Sequence, residues 1–184
     1  MSLPKIKPNG RAVTFGENEL IVSKTDLRGT LTYANEVFLR VSGYAEEELL
    51  GQPHSIIRHP GMPRCVFRLA WETIKRGEEI FAYVNNLAKS GCNYWVHAHM
   101  TPSLNPQGKI VGYHSNRRLP FPDALEKIIP LYERLLAEES RHSDAEAGVV
   151  ASLRMLYSTL DSQGMDYSEF VFGLSESTRL KASI

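Results

Sequence analysis

The chain has 184 residues, enough for one compact domain with an appendage and short for two full domains. Hydrophobic residues make up 42% and charged residues 23%, and 21 Lys plus Arg balance 21 Asp plus Glu, so the formal net charge is zero. That balance excludes the clustered basic excess of a nucleic-acid binder. No apolar run approaches the ~20 residues of a membrane span, and the N-terminus has no apolar signal region. Cys65 and Cys92 stand far apart and form no CxxC pair, so reduced thiols in a cytoplasmic protein are expected.

Residues 1–19 are polar and rich in Gly and Pro, and read as a loosely packed arm. Leu20, Val22, Leu31 and Tyr33 alternate with polar neighbours around Arg28-Gly29, which predicts a hairpin over 20–34. Asn35 stands where a helix N-cap belongs, with Val37, Phe38 and Val41 as one apolar face and Gly43 as the stop. Glu46, Glu47 and Glu48 open a second short helix that Gly51 closes. Residues 52–63 hold Pro53, Pro60 and Pro63 beside His54 and His59, so no long regular element fits there. Helical spacing resumes over 64–76, with Val66, Phe67, Ala70, Trp71 and Ile74 on one side. Strands follow over 80–88, 92–104 and 109–117, joined by turns at Lys89-Ser90-Gly91 and Asn105-Pro106-Gln107-Gly108. The order predicts an α+β fold, a five-stranded antiparallel sheet with short helices gathered on one face.

The character changes after Phe121. Residues 123–139 read as a helix that Pro130 kinks or breaks. Ser143-Asp-Ala-Glu146 has the capping-box pattern and opens a helix to about residue 161. Its stripe of Val149, Leu153, Leu156 and Leu160 is either a partner or homodimer surface or a face folded back on the sheet. Asp166 and Glu169 can cap a last helix through Leu174. The expected division is an arm over 1–19, a sensor domain over 20–118 and a helical extension over 119–184.

Four runs carry a resemblance. They are Tyr33-Ala-Asn-Glu-Val-Phe with Val41-Ser-Gly-Tyr44; Gly51-Gln-Pro-His-Ser-Ile-Ile-Arg-His-Pro60; Met62-Pro63 with Phe67, Trp71 and Lys75-Arg-Gly-Glu78; and Gly91-Cys-Asn-Tyr-Trp-Val96 with Thr101-Pro102. Together they resemble the PAS domain family, and in particular its aerotaxis-receptor branch. The resemblance implies a PAS fold that binds FAD and reports redox or oxygen status to a chemotaxis- or kinase-type signalling partner, without turnover. It also implies that Arg58, His59 and Trp71 hold the cofactor and that Asn86 contacts it. Asn35 is carried with them as a contact. One position departs: the branch's aspartate, three residues after the arginine, is Gly61 here.

The chemistry of these residues stands beside plainer readings. Arg58 offers a planar fork of donors suited to a pyrophosphate, or pairs with a surface glutamate. His59 can donate to a phosphate or pack its loop. His54 is expected to face solvent or bond its turn, and is a conceivable haem ligand. Trp71 and Trp95 can stack on a flavin ring or fill the core. Trp95 is expected inward, with His97 and His99 on its face by period two and Tyr94 and Val96 on the other. A metal held by His97 and His99 lacks a nearby cysteine or carboxylate. Asn86 supplies a donor and an acceptor, while its neighbour Asn85 points the other way. Cys65 reads as packing. No G-x-G-x-x-G and no base paired with a nucleophile is present, so a flavin enzyme is not expected. A haem gas sensor and a cofactor-free interaction module remain as alternatives to FAD.

Overall fold

The computed structural model describes residues 6–181. Its hairpin of β1 (Ile21–Thr25) and β2 (Leu31–Ala34) turns where Asp26 Oδ1 accepts from Arg28 N at 2.8 Å and Thr30 N at 2.9 Å. Gly29 closes that turn at φ 82°, a backbone region L side chains rarely adopt. Helices α1 (Glu36–Ser42) and α2 (Glu46–Leu49), a 3-10 helix (His54–Ile57) and α3 (Arg64–Lys75) follow. Then come β3 (Ile80–Leu87), β4 (Asn93–Leu104) and β5 (Ile110–Arg118). The sheet runs β2-β1-β5-β4-β3, antiparallel at every described pairing. This is the five-stranded α+β arrangement the sequence predicts.

The two sheet faces have different covers. Alternation along each strand sends Val84, Tyr94, Val96 and Ala98 to the face under α1 and α3, and Phe81, Tyr83 and Trp95 to the other. That second face is covered by α4 (Pro122–Ser140) and α6 (Tyr167–Lys181), with α5 (Ala145–Asp161) between them in sequence. Tyr132 of α4 donates from its hydroxyl to Tyr83 O at 2.8 Å, and Phe172 of α6 packs on Phe81 with ring centroids 4.8 Å apart. Helices α4 and α6 therefore fold back on the sheet, while α5 packs on α4 and α3.

Three local expectations change. The arm docks: Asn9 N donates to Gly91 O and Val13 N to Asn93 O, both at 2.8 Å, and Phe15 is only 6% exposed. The open backbone at the start of β4 supplies the partner, and Gly91 permits it, since a Cβ there would lie 2.7 Å from Lys7 O. Pro130 neither ends nor splits α4; it and Glu126, the residue four back that its missing N–H cannot serve, are both exposed, so water can complete the bonding. The N-cap of α5 is Asp144, one residue beyond Ser143, accepting from Ala147 N at 2.7 Å. With that cap Glu146 no longer holds the third helical position, and it pairs with Arg68 instead. At α6 the reciprocal cap forms as expected, with Asp166 N to Glu169 Oε2 and Glu169 N to Asp166 Oδ1 at 2.8 Å each.

Candidate cofactor site

A cavity of about 240 Å³ lies between the sheet and the segment running from the 3-10 helix through α3. Helix α3 turns Phe67, Ala70, Trp71 and Ile74 toward it, positions three and four apart on one stripe. The sheet contributes alternate residues: Ser23 and Thr25, Val84 and Asn86, Ala98 and Met100, then Tyr113, Ser115 and Arg117. The β1–β2 turn closes one side. Gly29 approaches Trp71 so nearly that a Cβ would lie 2.9 Å from the indole. Trp71 in turn meets Tyr113 edge-on, centroids 5.3 Å apart.

Polar groups on this wall are incompletely satisfied. Arg58 sits beside Asn86 because its backbone bridges that residue in antiparallel fashion. Its guanidinium lies 4.0 Å from the Phe67 ring centroid, and its Nε is buried without a partner. Asn86 is 3% exposed, and its Nδ2 has no partner either. Thr25 Oγ1 and Arg117 Nη1 complete a set of unpaired buried atoms on the lining. Buried polar groups are normally hydrogen-bonded, so this set has the character of a binding surface. No Asp or Glu lines the cavity among the described residues.

Residues 31–117 match the PAS fold family. These residues form a PAS domain. The aerotaxis receptor of Escherichia coli (strain K12) is 41% identical over 123 residues, covering 67% of this chain and 24% of that protein. The nitrogen fixation regulatory protein of Klebsiella pneumoniae is 34% identical over 97 residues, 53% of this chain and 20% of its own length. The chain thus spans about a quarter or less of these relatives. A structure described as a flavin analogue shedding light on light-oxygen-voltage domain mechanism superposes with TM-score 0.54 at 22% identity, covering 63% of this chain and 88% of that one. That likeness shows the fold.

Of the residues picked from sequence, the PAS cavity brings together Arg58, Trp71 and Asn86. Three others lie off its wall. Asn35 is spent on structure: its Oδ1 accepts from Phe38 N at 3.1 Å and Val22 N at 3.0 Å, and its Nδ2 donates to Leu20 O at 2.8 Å. Trp95 faces the opposite way, 6.2 Å from the Tyr132 ring. The inward expectation is corrected: the buried positions of β4 are Tyr94, Val96 and Ala98, and Trp95 lies on the half-buried face beside α4, where an aromatic also fits. His59 turns back on its own loop, with Nδ1 accepting from Gly61 N at 3.0 Å. Where the branch places a carboxylate, a backbone amide fixes the histidine.

His99 lies 2.6 Å from Glu79 and stacks on Phe81, centroids 4.2 Å apart. Among the described residues no group of three or more His, Cys, Asp or Glu could hold a metal. Burial pushes the Cys65 thiol up to about 11, so it is a packing residue and not a thiolate.

Arg117 and His54 also line the cavity, beside Arg58, Trp71 and Asn86. Arg117 is 2% exposed and lies opposite Ile21 on β1 and Ala98 on β4. Its Nη2 donates to Ser23 Oγ. Burial brings its pKa down only to about 10, so it stays cationic at neutral pH. His54 does not face solvent alone: its Nε2 lies 3.3 Å from both Ser23 Oγ and Arg117 Nη2. Burial first, then the charges of Arg117 and Arg58, lower its pKa to about 3. An arginine has no acceptor, so His54 Nε2 is the acceptor and the ring is neutral. Strand parity was the available signal, since Arg117 is in phase with Tyr113 and Ser115.

Proposed function

We propose that the PAS cavity holds FAD and that the domain senses redox or oxygen status without net turnover. The observation that carries this reading is the set of buried, unpaired polar atoms on Asn86, Arg58 and Arg117, three residues that line one cavity whose other walls are largely aromatic and aliphatic. A flat heteroaromatic ring with a polar edge suits such a wall. A flavin bound there would supply reversible electron uptake. The chain's own residues bind and orient. Trp71 offers a ring face, Asn86 offers an amide that donates or accepts, and Arg58 offers a fork matched to a pyrophosphate. His59, beside Arg58 in sequence, stays in the proposal as a contact for the part of FAD beyond the ring. Similarity to the aerotaxis receptor supports the same reading.

The output is a chemotaxis- or kinase-type signalling protein or a second copy of this chain, in the cytoplasm. The division into arm (1–19), sensor (20–118) and helical extension (119–184) belongs to this proposal. Among the described residues no helix is long and apolar enough to cross a membrane. A haem reading gains nothing from His54, whose Nε2 is already engaged by Arg117 and Ser23.

The test is flavin fluorescence quenching with cofactor-stripped protein, FAD and FMN being added separately. Wild type is expected to bind FAD more tightly than FMN. Arg58→Ala is expected to weaken FAD about tenfold, the scale of one charge-assisted contact, and FMN less. Equal binding of the two flavins, unchanged in the variant, would remove Arg58 from the pyrophosphate role.

A further inference from the structure

Helix α3 stands between the cavity and the C-terminal extension. Phe67, Ala70, Trp71 and Ile74 form its cavity stripe. At about 3.6 residues per turn, Cys65 and Arg68 fall about a third to half a turn away from that stripe. These positions meet the extension. Arg68 pairs with Glu146 of α5. The amide of Cys65 donates to Glu139 Oε1 of α4 at 3.0 Å, and Ser152 Oγ of α5 donates to the same oxygen at 3.1 Å. Arg64 Nε adds a charged bond to Glu139 Oε2 at 3.1 Å. Helix α3 has no cap of its own. Pro63 stands at its N-cap with no side-chain bond, so Glu139 holds its first turn from outside.

The cavity measures about 240 Å³. Pockets that enclose a ligand of ordinary size start at about 300 Å³, and FAD is larger than most such ligands. A wall must therefore give way when FAD enters. The sheet wall is backed on its far face, where the Tyr132 hydroxyl bonds Tyr83 O at 2.8 Å and Phe172 packs on Phe81. Movement of α3 toward the extension opens the cavity without breaking a strand pairing. Helix α5 has no slack to absorb that movement, since a Cβ on Gly148 would lie 2.7 Å from Glu139 O of α4. A close-packed joint of this kind yields by letting go and not by deforming.

Resting on the flavin reading above, we propose that the joint between α3 and the extension is an autoinhibitory contact. FAD entering the cavity drives α3 outward, breaks its bonds to Glu139 and Glu146, and frees α5 as the signalling surface. The coupling is reciprocal, so the same contacts hold the empty cavity narrow and weaken FAD binding.

The experiment is amide hydrogen exchange on the full chain, with and without FAD. FAD is expected to slow exchange in β3 and β5 and to speed it in α5 by about fivefold or more, the scale of ordinary coupling between sites. A ligand that only stabilised the fold would slow both. Glu146→Gln, at a side chain 68% exposed, removes one of the contacts without disturbing the core. It is expected to bind FAD about two- to fivefold more tightly, the scale of one surface ion pair. Exchange in α5 that FAD slows or leaves unchanged overturns the autoinhibitory contact and leaves the flavin reading standing. So does FAD affinity that is unchanged or lowered in Glu146→Gln. Wild-type protein that binds no FAD and shows no slowing in β3 or β5 overturns both.

Discussion

His54 shows how one side chain ties the cavity to stability. Its ring is neutral because burial and two arginines hold its pKa at about 3, against an ordinary value of 6.5. Between those values the unfolded chain binds a proton that the folded chain refuses, so stability rises with pH across that window and falls on acidification. The slope from this residue is at most about 1.4 kcal/mol per pH unit. His97, lowered to about 4 by burial and by His99, adds to it over a narrower span. In urea titrations from neutral pH downward, His54→Gln is therefore expected to lose stability less steeply than wild type. Parallel curves would show that His54 is protonated in the folded state as readily as outside it. At this scale the sequence disclosed Arg58, Trp71 and Asn86 through motif and strand parity. It did not disclose Arg117, because an arginine at the edge of a turn-rich region reads as surface. Nor did it place Trp95, because parity separates two faces without saying which one is the cavity.

Among the elements, the decisive contact joins α3 to the helices behind the sheet. Glu139 of α4 is 4% exposed, and its carboxylate accepts from Cys65 N at 3.0 Å, Arg64 Nε at 3.1 Å and Ser152 Oγ at 3.1 Å. One side chain thus caps the first turn of α3, the helix bearing Trp71, and binds α5 at the same time. Helix α5 comes close enough to α4 that a Cβ on Gly148 would lie 2.7 Å from Glu139 O. Gly→Ala in a helix interior ordinarily stabilises by about 1 kcal/mol through propensity. Here Gly148→Ala is expected to destabilise by about 1–3 kcal/mol, the scale of overpacking, because backbone and not a flexible side chain stands in the way. A raised urea midpoint would mean that the helices separate without cost. The helices themselves were legible from their apolar spacing. Their destination was not, since the stripe on α5 suits a partner surface as well as the back of a sheet.

For the molecule as a whole, both faces of the PAS sheet are buried, one over the cavity and one under α4 and α6. Among the described residues none of α4, α5 or α6 lines the cavity. Deleting 143–184 is therefore expected to leave flavin recovery near wild type while lowering the thermal midpoint, since Phe81 and Glu139 lose their covers. Flavin lost in proportion to the truncation, from protein that still folds, would place the extension inside the binding site. The fold class followed from strand spacing and turn residues because those are local signals. The docking of the N-terminal arm did not, because it depends on backbone groups of β4 some eighty residues away.

The central claim is that this PAS cavity holds a flavin, and the visible absorption spectrum of freshly purified protein tests it most directly. The expected result is the paired bands of an oxidised flavin, bleached by dithionite and restored by air. A spectrum with no visible bands, unchanged after incubation with FAD, would contradict the claim and leave a cofactor-free interaction module.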